Sequence, residues 1–428
     1  MHLRPTRGNY GILVLLVLSV VVNYLDRGAL SVSAPLVARD LQLSPTELGL
    51  LFSVFFWSYS VFQLAAGWLA DRYPVKWVFA GGYLLWSLAT AAIGIAATLP
   101  ALLTMRLLLG IGESVAYPAY SRIVVREFPD ESRGFANAVI DAGSKIGPGL
   151  STLAGGLLAE RFGWRALFVG LGLAGLLWLV PWFAAVPEAA EASEQKQAAG
   201  PGMFQILGRR ETWGTSLGMF ALGYVWYFLL SWLPSYLVEE RGFSMSSMAV
   251  LGSIPFWGMA AATLAGGWTS DRWIAAGGNL SRVRKTYAAG GLLLCAATLL
   301  PAGLVRNTSL SVALITAACL FLGLFTSNVW AITQTLAGPL AAGRWTGIQN
   351  AIGNLGGVAS PLVTGWIVAE TGSFLLAFAT AAAVLVAGAV IYMTMIGKVH
   401  TLSWTGETKS LATRAAPYIR KRGEREPS

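Results

Sequence analysis

Histidine, cysteine and charge are all scarce in this chain of 428 residues. The two histidines, His2 and His400, lie outside the long apolar runs, so no imidazole is available there to carry a proton. The two cysteines, Cys295 and Cys319, each sit inside an apolar run, which excludes a disulfide framework and any Cys/His metal spacing. Asp, Glu, Lys and Arg make up 12% of residues, against roughly 25% in an ordinary soluble domain. That is too little charge to clothe a water-facing surface, and a soluble enzyme, a disordered chain and a nucleic-acid binder are excluded. No phosphate-binding loop, metalloprotease helix or serine-nucleophile motif occurs, so an ATP-driven pump or an integral-membrane enzyme has no catalytic cluster to use, and no cofactor or metal is implied. Gly170-x-Gly172-x-x-Gly175 has dinucleotide-fingerprint spacing, but it lies within an apolar run with no strand before it and reads as helix packing.

What is present is apolar. Hydrophobic residues make up 55% of the chain, mean hydropathy is +0.60, and 17 Trp and 49 Gly match the usage of membrane helices. Crossing about 30 Å of hydrocarbon takes about 20 apolar residues in a helix. On that measure the sequence predicts an all-α membrane protein with twelve spans, at 10–34, 46–70, 77–99, 101–124, 134–159, 165–186, 213–238, 245–270, 285–304, 309–336, 345–369 and 374–396. The first is read as an uncleaved span, because its apolar pattern runs through Asn23–Arg27 to Ala34 without a small-residue cleavage site.

The net charge of +9 is distributed between the spans, not over one face. With both termini placed in the cytoplasm, 22 of the 30 Lys and Arg fall inside and 5 outside, and Arg27, Arg106 and Lys145 lie within spans. This split predicts cytoplasmic termini. The stretch 397–428 is read as a loose basic tail that anchors topology and favours anionic lipid.

An internal repeat divides the chain. Ala66–Arg72 recurs as Gly266–Arg272, each ending in Trp-x-x-Asp-Arg, with Asp71-Arg72 answered by Asp271-Arg272. Asn137-Ala138 recurs as Asn350-Ala351, and Pro148 as Pro361. Between the copies lies the polar stretch 187–212. The expected organisation is two pseudo-symmetric six-helix bundles, 1–186 and 213–396, joined by a cytoplasmic linker, with the basic tail at the end of the chain.

The stretch from Gly67 to Trp77, GWLADRYPVKW, resembles the signature loop between the second and third helices of the major facilitator superfamily, with Pro74 where a glycine is usual. Asn23–Arg27 (NYLDR), the Arg106-to-Pro118 segment RLLLGIGESVAYP and Asp141–Pro148 (DAGSKIGP) resemble the anion:cation symporter branch, which includes bacterial sugar-acid permeases. The resemblance covers nearly the whole chain except the linker and the tail.

Charges at mid-membrane cost at least about 2.5–3.5 kcal/mol each on insertion scales, so each is a functional candidate. Arg27 offers a planar, permanently charged fork suited to a substrate carboxylate. Asp26 stands about 100° around the same helix. Glu113 lies two helical turns after Arg106, on the same face. With no membrane histidine, proton coupling must run through carboxylates, here Asp26 and Glu113; the resemblance implies the same roles for both, and a coupling role for Arg106. Asp141 and Lys145, four residues apart, have two readings: a self-neutralised ion pair, or a Lys145 that reaches a second anionic group on the substrate.

The resemblance also implies that Tyr24, Tyr59, Trp330 and Asn350 line the site, where Tyr and Trp present an apolar face and one donor. Ser327 is a further candidate for bonding substrate hydroxyls. Asn328 and Asn354 are read as interhelical hydrogen bonders. Asp71, Arg72, Asp271 and Arg272, at cytoplasmic helix ends, suit salt bridges that close a gate. The function expected is a proton-coupled symporter importing a small organic carboxylate such as a sugar acid, acting as a monomer in the lipid bilayer of a bacterial inner membrane. The alternative on the same fold is an uncoupled uniporter or an organic-anion exchanger.

Overall fold

A computed structural model describes residues 7–128, 130–187 and 201–404. Most of the linker and the tail from residue 405 lie outside the described residues, as does the Asp71 side chain. Among the described residues there are helices and turns and no strand.

The helices are α1 Arg7–Leu41, α2 Pro45–Arg72, α3 Val75–Ile93, α4 Leu99–Glu113, α5 Ala116–Glu127, α6 Asp130–Leu150, α7 Gly156–Ala185, α8 Met203–Leu207, α9 Arg210–Ser235, α10 Met245–Ala275, α11 Leu280–Leu304, α12 Thr308–Thr371 and α13 Leu375–Met395. Single π-turns, Ser151–Gly155 and Tyr236–Glu240, join α6 to α7 and extend α9. Nine stretches among the described residues are long and apolar enough to cross a membrane. The starts are locally encoded. Ser44 and Glu47 form a reciprocal capping box ahead of α2, and Thr98, Ser244, Asn279 and Asn307 cap α4, α10, α11 and α12.

The breaks have physical causes. The apolar run 101–124 is divided between α4 and α5 just after Glu113. Pro118 has no N–H to give to the Ser114 carbonyl, and its ring crowds that carbonyl, so the helix parts there. Gly163 (φ 82°) and Gly338 (φ 64°) interrupt α7 and α12 with left-handed backbone that a side chain disfavours.

The Gly338 break reshapes the expected tail. The Leu402 N–H donates to the Leu336 carbonyl at 3.0 Å, and the Trp404 indole N–H donates to that of Ala337, also at 3.0 Å. Trp404 is buried beside Trp345, and Arg209 lies over its ring. Residues 399–404 are therefore docked, which corrects the expectation of a loose tail from residue 397 onward. The reason is that carbonyls just before the break lack their helical partners and accept from the returning chain.

The earlier helices pack among themselves, α1 on α6 and α7 and α3 on α4 and α7; the later ones do likewise, α9, α10 and α11 all against α12. Contacts joining the two sets lie toward one end. Ser31 Oγ donates to the Ser231 carbonyl at 3.0 Å, and Ser53 Oγ to the Val358 carbonyl at 2.9 Å. The Phe52 and Trp232 rings meet edge-on at 5.4 Å. Gly49 rests so close to Pro361 that a Cβ there would lie 2.5 Å from its carbonyl oxygen. The repeated prolines, Pro148 and Pro361, both sit at or beside such contacts, since the neighbouring Gly149 abuts Trp257.

Candidate functional site

Four helix segments bring the intramembrane charges together. α1 carries Asn23, Tyr24, Asp26 and Arg27; α2 carries Phe55 and Tyr59 one turn apart; α4 carries Arg106 and ends at Glu113; and α6 carries Asp141 and Lys145. The Arg27 Nε–H donates to Glu113 Oε2 at 2.7 Å, and both side chains are withdrawn from solvent, at 4% and 0% exposure.

Aromatic rings surround this pair. The Arg27 guanidinium lies 5.0, 4.9 and 4.7 Å from the ring centroids of Tyr24, Phe55 and Tyr59. Arg106 also lies over Phe55, at 4.9 Å, and its Nε–H reaches the Leu51 carbonyl at 3.4 Å. Ring faces carry partial negative charge, so these rings add to the stabilisation of both cations. Several buried polar atoms nearby lack a hydrogen-bond partner: Glu113 Oε1, Arg27 Nη2, Arg106 Nη1, Asp26 Oδ1 and both amide atoms of Asn23. Buried polar atoms are nearly always paired, so such a concentration is unusual and makes this cluster the candidate site.

Arg27 is therefore paired across helices with Glu113. Asp26, its sequence neighbour, is buried and turned toward Thr90 on α3. Lys145 joins the cluster's edge. Its Nζ–H donates to Ser144 Oγ at 2.8 Å and to Asp141 Oδ1 at 3.3 Å, and it lies close enough to Tyr24 to interact electrostatically. Tyr24, Tyr59, Arg27, Lys145, Asp26, Glu113 and Arg106 thus converge.

The later helices contribute differently from expectation. Ser327 is not brought to the cluster. Its hydroxyl donates to the Leu324 carbonyl, accepts from Asn328, and faces Gly266 of α10. Trp330 and Asn350 are half-buried on α12. Asn354 Oδ1 accepts from the Tyr227 hydroxyl at 3.5 Å, and Asn328 Oδ1 from Arg284 Nη1 at 2.8 Å, so both amides bond between helices. Sequence reasoning missed Phe55, Tyr117 and Tyr227. Phe55 precedes Tyr59 by one turn, a spacing that places them on a shared face, whereas Tyr117 lies beyond the α4–α5 break and reaches the cluster through its hydroxyl, 3.5 Å from that of Tyr24. Nothing local marks Tyr227, whose ring lies 4.3 Å from Phe56 and near Arg27.

The repeated Trp-x-x-Asp-Arg ends keep their likeness in three dimensions. Arg72 lies over Trp68 at 5.7 Å, and Arg272 over Trp268 at 4.9 Å. Asp271 Oδ1 accepts from Arg284 Nη2 at 2.8 Å. Arg284, from α11, also reaches Ser270 of α10 and Asn328 of α12, and so ties three helices together.

The Major Facilitator Superfamily model matches residues 16–360 and 251–423. This chain belongs to the major facilitator superfamily. It is a multi-pass membrane transporter and not an enzyme. It is 35% identical to a hexuronate transporter of Bacillus subtilis (strain 168), over 86% of this chain and 90% of that one. It is 30% identical to a probable galactarate/D-glucarate transporter of Escherichia coli (strain K12), over 92% and 96%. A D-galactonate transporter of Escherichia coli O6:H1 is 28% identical, over 92% and 97%. Among solved structures, a bacterial homolog of the human lysosomal transporter Spinster superposes with a TM-score of 0.74 at 20% identity, covering 91% of this chain and 96% of that one.

Proposed function

We propose that this transporter is a proton-coupled symporter that imports a small sugar acid across a bacterial cytoplasmic membrane. Relatives described as transporters of hexuronate, galactarate/D-glucarate and D-galactonate support the substrate class. One observation carries the coupling: Arg27, the cation suited to a substrate carboxylate, bonds Glu113 through its Nε–H while its Nη2 is buried without a partner. Protonating Glu113 removes the negative charge from that bond. The guanidinium is then a buried cation without a counter-ion, and a substrate carboxylate supplies one. Proton and anion therefore favour each other's binding, which is the thermodynamic content of symport. Asp26 is the second proton carrier, and Arg106 links the two carboxylates. Tyr24, Tyr59, Trp330 and Asn350 flank the substrate.

Taking α4 and α5 as one span and dividing α7 and α12 at Gly163 and Gly338 supports twelve spans in two six-helix halves, with both termini on one side. The Lys and Arg distribution supports a cytoplasmic position for that side. The end where the two sets of helices meet is then the outer one, and the arrangement is inward-facing, with the halves rocking about the Arg27 site during transport. Each chain encloses a complete site and works as a monomer.

The test is uptake of labelled hexuronate, hexonate and hexarate into proteoliposomes, with and without an inward proton gradient. Accumulation above equilibrium only with the gradient is expected. Uptake indifferent to the gradient would make the chain a uniporter or an anion exchanger.

A further inference from the structure

Two cations, not one, border the same aromatic ring. Tyr24 lies against the Arg27 guanidinium on α1 and is near enough to Lys145 on α6 to interact with it. Helices α1 and α6 are clamped together here, since a Cβ at Gly147 would lie 2.4 Å from that of Tyr24. The two cations are thus held roughly one tyrosine side chain apart by a rigid contact.

Each cation already holds a carboxylate of the protein. Glu113 sits on Arg27 at 2.7 Å and Asp141 on Lys145 at 3.3 Å. Neither cation is saturated. Arg27 Nη2 is buried and unpartnered, and the longer Lys145 bond leads to an Asp141 side chain that is 54% exposed while Lys145 itself is 19% exposed. Asp141 is therefore the less enclosed partner, whereas Lys145 is also held by Ser144. Both positions accept a carboxylate and both can release the one they hold.

We infer that Lys145 is a specificity-determining residue that binds a second substrate carboxylate, so that the transporter prefers six-carbon sugar diacids to monoacids. The inference rests on the sugar-acid reading above. One carboxylate of the diacid replaces Glu113 on Arg27. The other replaces Asp141 on Lys145, and the hydroxylated chain lies along Tyr24 between them. A monoacid leaves Lys145 with Asp141 and gains one charged bond instead of two.

The test compares uptake of a matched pair, D-gluconate with one carboxylate and D-glucarate with two, in proteoliposomes. The wild-type chain is expected to favour the diacid in kcat/KM. Lys145→Gln is expected to lower the diacid-to-monoacid ratio at least about tenfold, the effect of one lost charge-assisted bond. Lys145→Arg keeps the charge and should hold the ratio within about threefold, and Asp141→Asn should not lower it. Wild-type uptake of the monoacid alone, or an unchanged ratio in Lys145→Gln, overturns the inference while leaving the sugar-acid reading in place. If D-glucuronate is taken up but neither acid is, this inference alone fails; if none of the three is taken up, the sugar-acid reading fails and this inference fails with it.

Discussion

The Nε–H of Arg27 meets Oε2 of Glu113 at 2.7 Å, joining the middle of α1 to the point where α4 breaks. Only one hydrogen bond links the two groups, although the geometry of a guanidinium and a carboxylate allows two, and the remaining Nη2 and Oε1 are buried without partners. Taking two such charges out of water costs several kcal/mol per ion, so a half-made bond between them is poised to be exchanged.

Glu113→Gln keeps an acceptor for the Arg27 N–H and removes the proton-binding group. It is expected to fold, to lose gradient-driven accumulation and to retain counterflow of unlabelled for labelled substrate. Arg27→Ala strands Glu113 as a buried, unpaired charge at a cost of about 3–5 kcal/mol, and is expected to lose substrate binding and to lower the melting temperature. Equal loss of accumulation and counterflow in Glu113→Gln would remove Glu113 from the coupling step.

Gly49→Ala places a methyl group 2.5 Å from the Pro361 carbonyl oxygen. Backbone on both sides leaves no flexible side chain to yield, and overpacking of this kind costs about 1–3 kcal/mol. That penalty falls only on the state in which α2 and α12 touch. Distances between spin labels at the outer ends of α2 and α12 are expected to lengthen in the variant. An unchanged distance distribution would show that this contact does not hold the outer end closed.

Arg284→Ala is expected to destabilise more than Asp271→Asn. The Asp271 side chain is 67% exposed, and such surface pairs contribute about 0–1 kcal/mol. Asn328, a further partner of Arg284 beside Ser270, is fully buried, and losing a donor to a buried acceptor costs about 1–3 kcal/mol. Thermal unfolding of the two variants in detergent tests the ranking.

Truncation should distinguish the docked residues 399–404 from the basic stretch 405–428. Ending the chain after Trp404 keeps the Leu402 and Trp404 hydrogen bonds and the buried ring and serves as the reference. Ending it after Lys398 uncovers the Leu336 and Ala337 carbonyls and removes the buried Trp404 ring, and should lower the melting temperature by several degrees. Trp404→Ala should reproduce most of that loss.

The repeat and the family resemblance are legible in the sequence alone. So are the residues of the central cluster, because a charge inside an apolar run is conspicuous wherever it points. The partners are less legible. Asp26 is adjacent to Arg27 in sequence, yet successive residues on a helix diverge by about 100°, and it is Glu113 on another helix that reaches the guanidinium. Ser327 has the look of a site residue and instead bonds back to its own helix, as serine and threonine readily do. Tyr227 has no local signal, because its place beside Phe56 depends on how α9 crosses α2.

The sequence by itself determined that this chain lives in a bilayer, which apolar runs make its helices and where those helices start, since transfer free energy and capping depend on a few neighbouring residues. It also determined which charges are costly enough to demand a role. Tertiary structure decided which charges pair, which end of the bundle is closed and that residues 399–404 return to cap the break at Gly338. Those outcomes depend on the angles at which separate helices meet and on carbonyls freed by a distant break, and neither is written in the local periodicity of any one segment.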